Sequence, residues 1–150
     1  MHEPSSGRFE NGAHYLPVRI YYEDTDFSGA VYHANYLKFF ERGRSDFLRA
    51  AGVGHVMLLQ RPDPCAFAVT HIDMRFLRAA TIDDALQVRT KFCDIRGPRI
   101  IIEQALLRGE TTLCTASVEI CCVTPSQNGA GSARRPPKEL LEALKPYLSA

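Results

Sequence analysis

The chain has 150 residues, 45% of them hydrophobic and 23% charged, enough to bury one core and too few for two ordinary domains. Its formal net charge of +1 supplies no global field toward nucleic acid or an anionic membrane, so no nucleic-acid partner is expected. The five cysteines, Cys65, Cys93, Cys114, Cys121 and Cys122, are odd in number and lack C-x-x-C spacing, which argues against a secreted disulfide framework and for reduced thiols.

Residues 1–14 are polar and carry Pro, Ser, Gly and Asn. They read as a flexible arm, and their lack of an apolar run argues against a secretory leader. Residues 15–150 then form one domain. Val18 to Glu23 alternates apolar and polar side chains, as a half-buried strand does. The turn formers of EDTDFSGAVYHAN follow. From Ala34 to Ala51 the spacing predicts a helix, with Tyr36, Phe40, Gly43 and Phe47 on one stripe and Lys38, Arg42, Ser45 and Arg49 opposite. Gly43 within the apolar stripe predicts a close approach to another surface, and Gly52 a left-handed helix end. After a short helical stretch, His55 to Leu59, and the break RPDP, four strands are expected: Ala66 to Leu77, Ala85 to Ile95, Arg99 to Arg108 and Thr111 to Thr124. Arg96-Gly97-Pro98 and Gly109-Glu110 have hairpin length, so these strands should be antiparallel neighbours. A turn-rich stretch, Ser126 to Ser132, leads to a short amphipathic helix, Pro137 to Leu148. No segment has the length of a membrane span, and the cytoplasm is the expected compartment.

One amphipathic helix and a meander of strands imply an α+β domain, an antiparallel five-stranded sheet wrapped around one long central helix. Such a sheet keeps an edge, and the edge invites pairing with a second copy, so a homodimer or homotetramer is expected.

The densest polar cluster is Glu23-Asp24-Thr25-Asp26, with His33 immediately before the helix. Helix capping and a solvated acidic turn form one reading, because Asp and Thr favour such positions and carboxylates suit a helix N-terminus. A metal site is disfavoured, since one histidine and D-x-D give too few ligands. The third reading is catalytic. The unpaired amides of a helix N-terminus stabilise an oxyanion, Gly29 leaves the backbone open to close approach, and a carboxylate opposite them attacks a thioester or activates water.

The stretch YYEDTDFSGAVYHANYLKFFERGRSDFL, Tyr21 to Leu48, resembles the signature of the 4-hydroxybenzoyl-CoA thioesterase family. It is closest to the branch associated with the Tol-Pal cell-envelope system. IDMRFLRAATIDDALQVRT, RGPRIIIEQ and the last strand with its following R-P extend the likeness to roughly Val18 to Pro136. The resemblance implies a hotdog fold and an acyl-CoA thioesterase without a cofactor, coenzyme A being part of the substrate, with acyl carrier protein as a further carrier of the thioester. It implies Asp26 as the catalytic carboxylate and the His33 backbone amide as the oxyanion donor. The His33 side chain is left between proton transfer or positioning and a polar cap. Gly29 and Tyr32 are implied substrate-binding residues, and Arg96 and Arg99 are candidates for the coenzyme A phosphates, with Arg134 and Arg135 behind them. Thr70 and His71 lie on a strand at the expected interface. Two rival readings are a hotdog dehydratase and a non-catalytic acyl-CoA-binding or envelope-linked module on the same fold.

Overall fold

Asn11 and Gly12, both at positive φ (52° and 79°), reverse the chain between strands β1 (Arg8–Glu10) and β2 (Ala13–Arg19). Glu10 lies opposite Ala13 in this hairpin, so Asn-Gly forms the two-residue loop that suits the twist of paired strands. Residues 8–14, expected to lie in a flexible arm, are instead part of this hairpin. The computed structural model describes residues 2–4, 6–126 and 129–148.

The first strand also ends sooner than the alternation of Val18 to Glu23 predicts. Tyr22–Asp24 forms a single 3-10 turn instead. Asp24 Oδ2 accepts the Tyr21 amide at 2.8 Å, and the Thr25 hydroxyl donates to the Tyr22 carbonyl at 2.7 Å. These local bonds compete with a sheet ladder and win, as short polar side chains often do.

Helix α1 (Asn35–Ala50) follows, then α2 (His55–Leu59), and the strands β3 (Ala66–Phe76), β4 (Ala85–Arg96), β5 (Arg99–Arg108), β6 (Thr111–Ser126) and β7 (Gly129–Ala133). Helix α3 (Lys138–Leu144) and a 3-10 turn, Lys145–Tyr147, end the described chain. One antiparallel sheet of seven strands among the described residues has the order β1-β2-β4-β5-β6-β3, with β7 on β6. Five strands were expected. The additional ones are β1 and β7, both short and polar enough to read as loop.

The 16 residues of α1 span about 24 Å, an ordinary length rather than the long helix expected. It buries Tyr36, Phe39, Phe40, Gly43 and Phe47 against β2, β4 and β5. At Gly43 an added Cβ would lie 2.6 Å from Val88 Cγ1 and 2.8 Å from Thr90 Oγ1, so the close approach predicted from sequence is present. Around it runs a buried polar seam. Gln104 Nε2 donates to the Phe40 carbonyl (2.8 Å) and to Thr90 Oγ1 (2.9 Å), and its Oε1 accepts from Arg44 Nη1 at 2.9 Å. Every polar atom buried there without a partner would cost stability, so the seam fixes the helix on the sheet in one register. At the other end Gly52, at φ +87°, donates to the Arg49 carbonyl while Val53 donates to that of Leu48, the Schellman closure expected of a glycine there.

Candidate active site

Asp26 sits at the tip of a small hairpin between the 3-10 turn and α1. Thr25 bridges Val31. The Asp26 amide donates to the Ala30 carbonyl at 2.9 Å, and the Gly29 amide donates back to that of Asp26 at 3.2 Å. Gly29 takes φ +86°, the left-handed step that closes such a turn. No atom lies within 4 Å of a Cβ placed on it, so backbone conformation rather than space calls for glycine. The Asp26 carboxylate is exposed. Its Oδ1 accepts both the Ser28 amide (2.8 Å) and the Ser28 hydroxyl (2.5 Å), and these two donors hold the carboxyl below its usual range, the hydroxyl more strongly. Among the described residues Oδ2 has no hydrogen-bond partner.

The hairpin is tied to the start of α1. The Asp24 carbonyl accepts the Tyr32 amide (3.0 Å) and the Asn35 side-chain Nδ2 (2.8 Å). The Val31 amide donates to the Ala80 carbonyl at 2.8 Å, and the Ala80 amide donates to the Tyr36 hydroxyl at 3.1 Å. Burial pushes the Tyr36 phenol above its ordinary value, and its oxygen accepts that amide inside the core. Helix α1 opens on Ala34 without any side-chain cap. Glu23, Asp24 and Asp26 do not cap it, and in place of a cap on α1 Asp24 holds the Tyr21 amide at the start of the 3-10 turn, within an exposed acidic turn. Among the described residues the amides of His33 and Ala34 have no acceptor, as an uncapped helix start leaves them.

The other expected residues divide. Tyr32 and His33 are exposed, with ring centroids 4.6 Å apart, and the His33 ring meets the edge of Phe76 at 6.5 Å. Phe76 also packs on Tyr36 and remains 53% exposed. Its place at the end of β3 brings it to the site, and no local pattern in the sequence signals that. Arg96 and Arg99 lie elsewhere. β4 begins at Ala85, shortly after the Ala80–Thr81 segment that pairs with the hairpin, and ends at Arg96, about 36 Å further on for an extended strand. Each is also engaged, Arg96 Nε with Asp94 at 2.7 Å and Arg99 Nη1 with Glu119 at 3.7 Å. One subunit therefore does not bring them to Asp26. Arg134 holds the Asp63 carboxylate (2.8 Å) and the Asp63 and Pro64 carbonyls, which makes it a brace for that loop. Thr70 donates to Glu119 Oε2 at 2.7 Å.

A cleft of about 640 Å³ runs between β2 and the polar side of α1 and takes in Glu23, Asp24, Arg42 and Ser45, but neither Asp26 nor His33. Several of its polar groups already answer one another: Ser45 donates to Glu41 at 2.6 Å and lies 2.9 Å from His55 Nε2, and Arg49 pairs with Asp46 at 3.1 Å. The open face at Asp26 carries a carboxylate oxygen and helix-start amides that have no partner among the described residues. Among the described residues no group of three or more His, Cys, Asp or Glu is gathered to hold a metal ion.

Comparison with known proteins decides the family. The profile of the thioesterase-like superfamily matches residues 21–144, a span that holds the hairpin, α1 and five of the seven strands. The chain belongs to this superfamily. It is 43% identical over 108 residues to the acyl-CoA thioesterase YbgC of Haemophilus influenzae, covering 72% of this chain and 79% of that one. To the acyl-CoA thioester hydrolase YbgC of Escherichia coli it is 37% identical over 110 residues, covering 73% and 81%. The crystal structure of a probable thioesterase from Bartonella henselae superposes with a TM-score of 0.78 at 42% identity, over 83% of this chain and 99% of that one. The antiparallel sheet and α1 are thus the hotdog architecture of a thioesterase, and the likeness to the 4-hydroxybenzoyl-CoA thioesterase signature is a family relationship.

Proposed function

We propose that this protein hydrolyses an acyl-CoA thioester to a free acid and coenzyme A, with Asp26 as the catalytic carboxylate and the His33 amide as the oxyanion donor. The observation that carries the reading is the pairing of a carboxylate with one free oxygen and an uncapped helix start, joined through the Asp24 carbonyl by the Asn35 side chain. Kinship with YbgC proteins named for acyl-CoA supplies the substrate class. In the reaction Oδ2 of Asp26 either attacks the carbonyl carbon, forming an anhydride that water then hydrolyses to the free acid and the regenerated carboxylate, or takes a proton from a water that attacks directly. The carbonyl oxygen gathers negative charge against the free N–H of His33, and the sulfur departs as the thiolate of coenzyme A. Gly29 and Tyr32 border the path of the acyl group.

The site is completed by a second copy of the chain. β3 is an edge strand of 11 residues, and Val69, Phe76 and Leu77 along or beside it are at least half exposed, as is Phe27 at the hairpin tip. An unpaired edge with apolar side chains beside a functional site suits a two-fold interface that extends the sheet. In that arrangement Arg96 and Arg99 reach coenzyme A phosphates only from a neighbouring subunit. No described helix is long and apolar enough to cross a membrane, and free thiols suit a reducing compartment such as the cytoplasm.

A panel of acyl-CoA chain lengths and aromatic acyl-CoAs, with acyl carrier protein thioesters as a second arm and free thiol as the readout, tests this. The proposal requires kcat/KM of about 10⁴ M⁻¹s⁻¹ or more for at least one class. Tight binding across the panel without any release of thiol would favour the non-catalytic module.

A further inference from the structure

We infer that Ser28 is a positioning residue for thioester cleavage, holding Oδ1 of Asp26 with two donors so that Oδ2 alone is presented to the substrate. This rests on the assignment of Asp26 as the catalytic carboxylate. The Ser28 amide and hydroxyl lie 2.8 and 2.5 Å from the same oxygen, and the shorter distance is that of a charge-assisted O–H···O⁻ bond. The last torsion of an aspartate is otherwise broad and two-fold, so an unheld carboxylate at an exposed turn would exchange its oxygens freely. Two donors from one residue remove that freedom on one side only.

The backbone bond comes with the turn itself and is available to any residue but proline at position 28. The hydroxyl bond belongs to serine or threonine. It has two consequences for the reaction. It orients the reacting oxygen, and it favours the ionised carboxylate, so that activity persists to lower pH than an alanine at this position would allow.

The test is the pH dependence of kcat/KM for the wild type, Ser28→Ala, Ser28→Thr and Asp26→Asn. It is accompanied by an NMR titration of the Asp26 carboxyl carbon in the wild type and Ser28→Ala. We expect Ser28→Ala to move both the acid limb of the profile and the carboxyl titration toward higher pH. Activity should fall several-fold at the acid end through kcat rather than KM, and Ser28→Thr should return it toward the wild type. If Asp26→Asn is inactive and the Ser28→Ala profile and titration coincide with those of the wild type, the role of Ser28 is overturned while that of Asp26 stands. If Asp26→Asn retains wild-type activity, the Asp26 assignment falls and the role of Ser28 falls with it.

Discussion

The side-chain Nδ2 of Asn35 lies 2.8 Å from the carbonyl oxygen of Asp24, and this one bond ties the hairpin that carries Asp26 to the first turn of α1. The same carbonyl also receives the Tyr32 amide, so deleting the Asn35 side chain leaves no unsatisfied acceptor. Stability should therefore fall by only about 0.5–1.5 kcal/mol in Asn35→Ala. The reaction should suffer more, because a small misplacement of a reacting group is costly: we expect kcat/KM to drop by about tenfold or more. Thiol release and thermal melting on the same preparation separate the two effects, and an unchanged kcat/KM would show that the tie has no catalytic role.

Gly43→Ala tests the packing of α1 on the sheet. Alanine gains about 1 kcal/mol over glycine in an exposed helix, but here its Cβ would meet Val88 and Thr90, both fully buried, at 2.6 and 2.8 Å. Overpacking costs about 1–3 kcal/mol and also disturbs the Gln104 seam, so the net sign is destabilising. Urea denaturation should show a lower midpoint. A higher one would mean that the helix can lift away without loss.

Acid should weaken the fold through His14. Its imidazole is fully buried against Phe9 and Phe47. Nε2 is 3.0 Å from Asp46 Oδ2 yet not aligned as a hydrogen bond, and among the described residues neither ring nitrogen has a hydrogen-bond partner. Burial lowers its pKa below the ordinary 6.5, outweighing the Asp46 carboxylate, which raises it. The folded chain thus binds a proton less readily than the unfolded one. Stability is full above the unfolded value, declines as pH falls below 6.5 and levels off beneath the folded value. In His14→Phe that decline should shrink, as read by urea midpoints between about pH 5 and about pH 7.5. An unaltered slope would place the acid sensitivity elsewhere.

The cysteines bear on the assay itself. All five are free, with Cys65, Cys114 and Cys122 buried and Cys93 and Cys121 half-buried. Burial pushes the Cys114 thiol up to about 11, which leaves little of the reactive thiolate. A disulfide reagent should therefore label Cys93 and Cys121 in the native protein and the other three only on unfolding, as mass spectrometry of labelled peptides would report. Rapid labelling of Cys114 in the native state would contradict its burial.

What the sequence revealed follows the range of the forces involved. The Gly43 approach and the Gly52 helix end were legible because a glycine within an apolar stripe serves close packing, and one just past it a left-handed turn. The four strands from Ala66 onward were legible through alternation and hairpin-length links. β1 escaped notice although Asn11-Gly12 is a strong turn signal, because polar neighbours masked the strands on either side. The end of β2 was misplaced because bonds from Asp24 and Thr25 to the local backbone overrode an alternating pattern. At the site, Asp26 and the helix start were visible in one continuous motif. Phe76 was not, since only the fold brings residue 76 to residue 33, and Arg96 and Arg99 came from the family likeness, which does not show that they sit together at the far end of the β4–β5 hairpin. Ser28 lies in the same motif, and its bonds to Asp26 appear only with the turn geometry.

The most direct measurement is steady-state release of coenzyme A from the best acyl-CoA substrate by Asp26→Asn, with substrate affinity and thermal melting measured beside it. Release should be lost while melting and substrate binding stay close to the wild type, because the carboxylate is exposed and its removal disturbs no packing. Cleavage within a few-fold of the wild-type rate would contradict a catalytic Asp26.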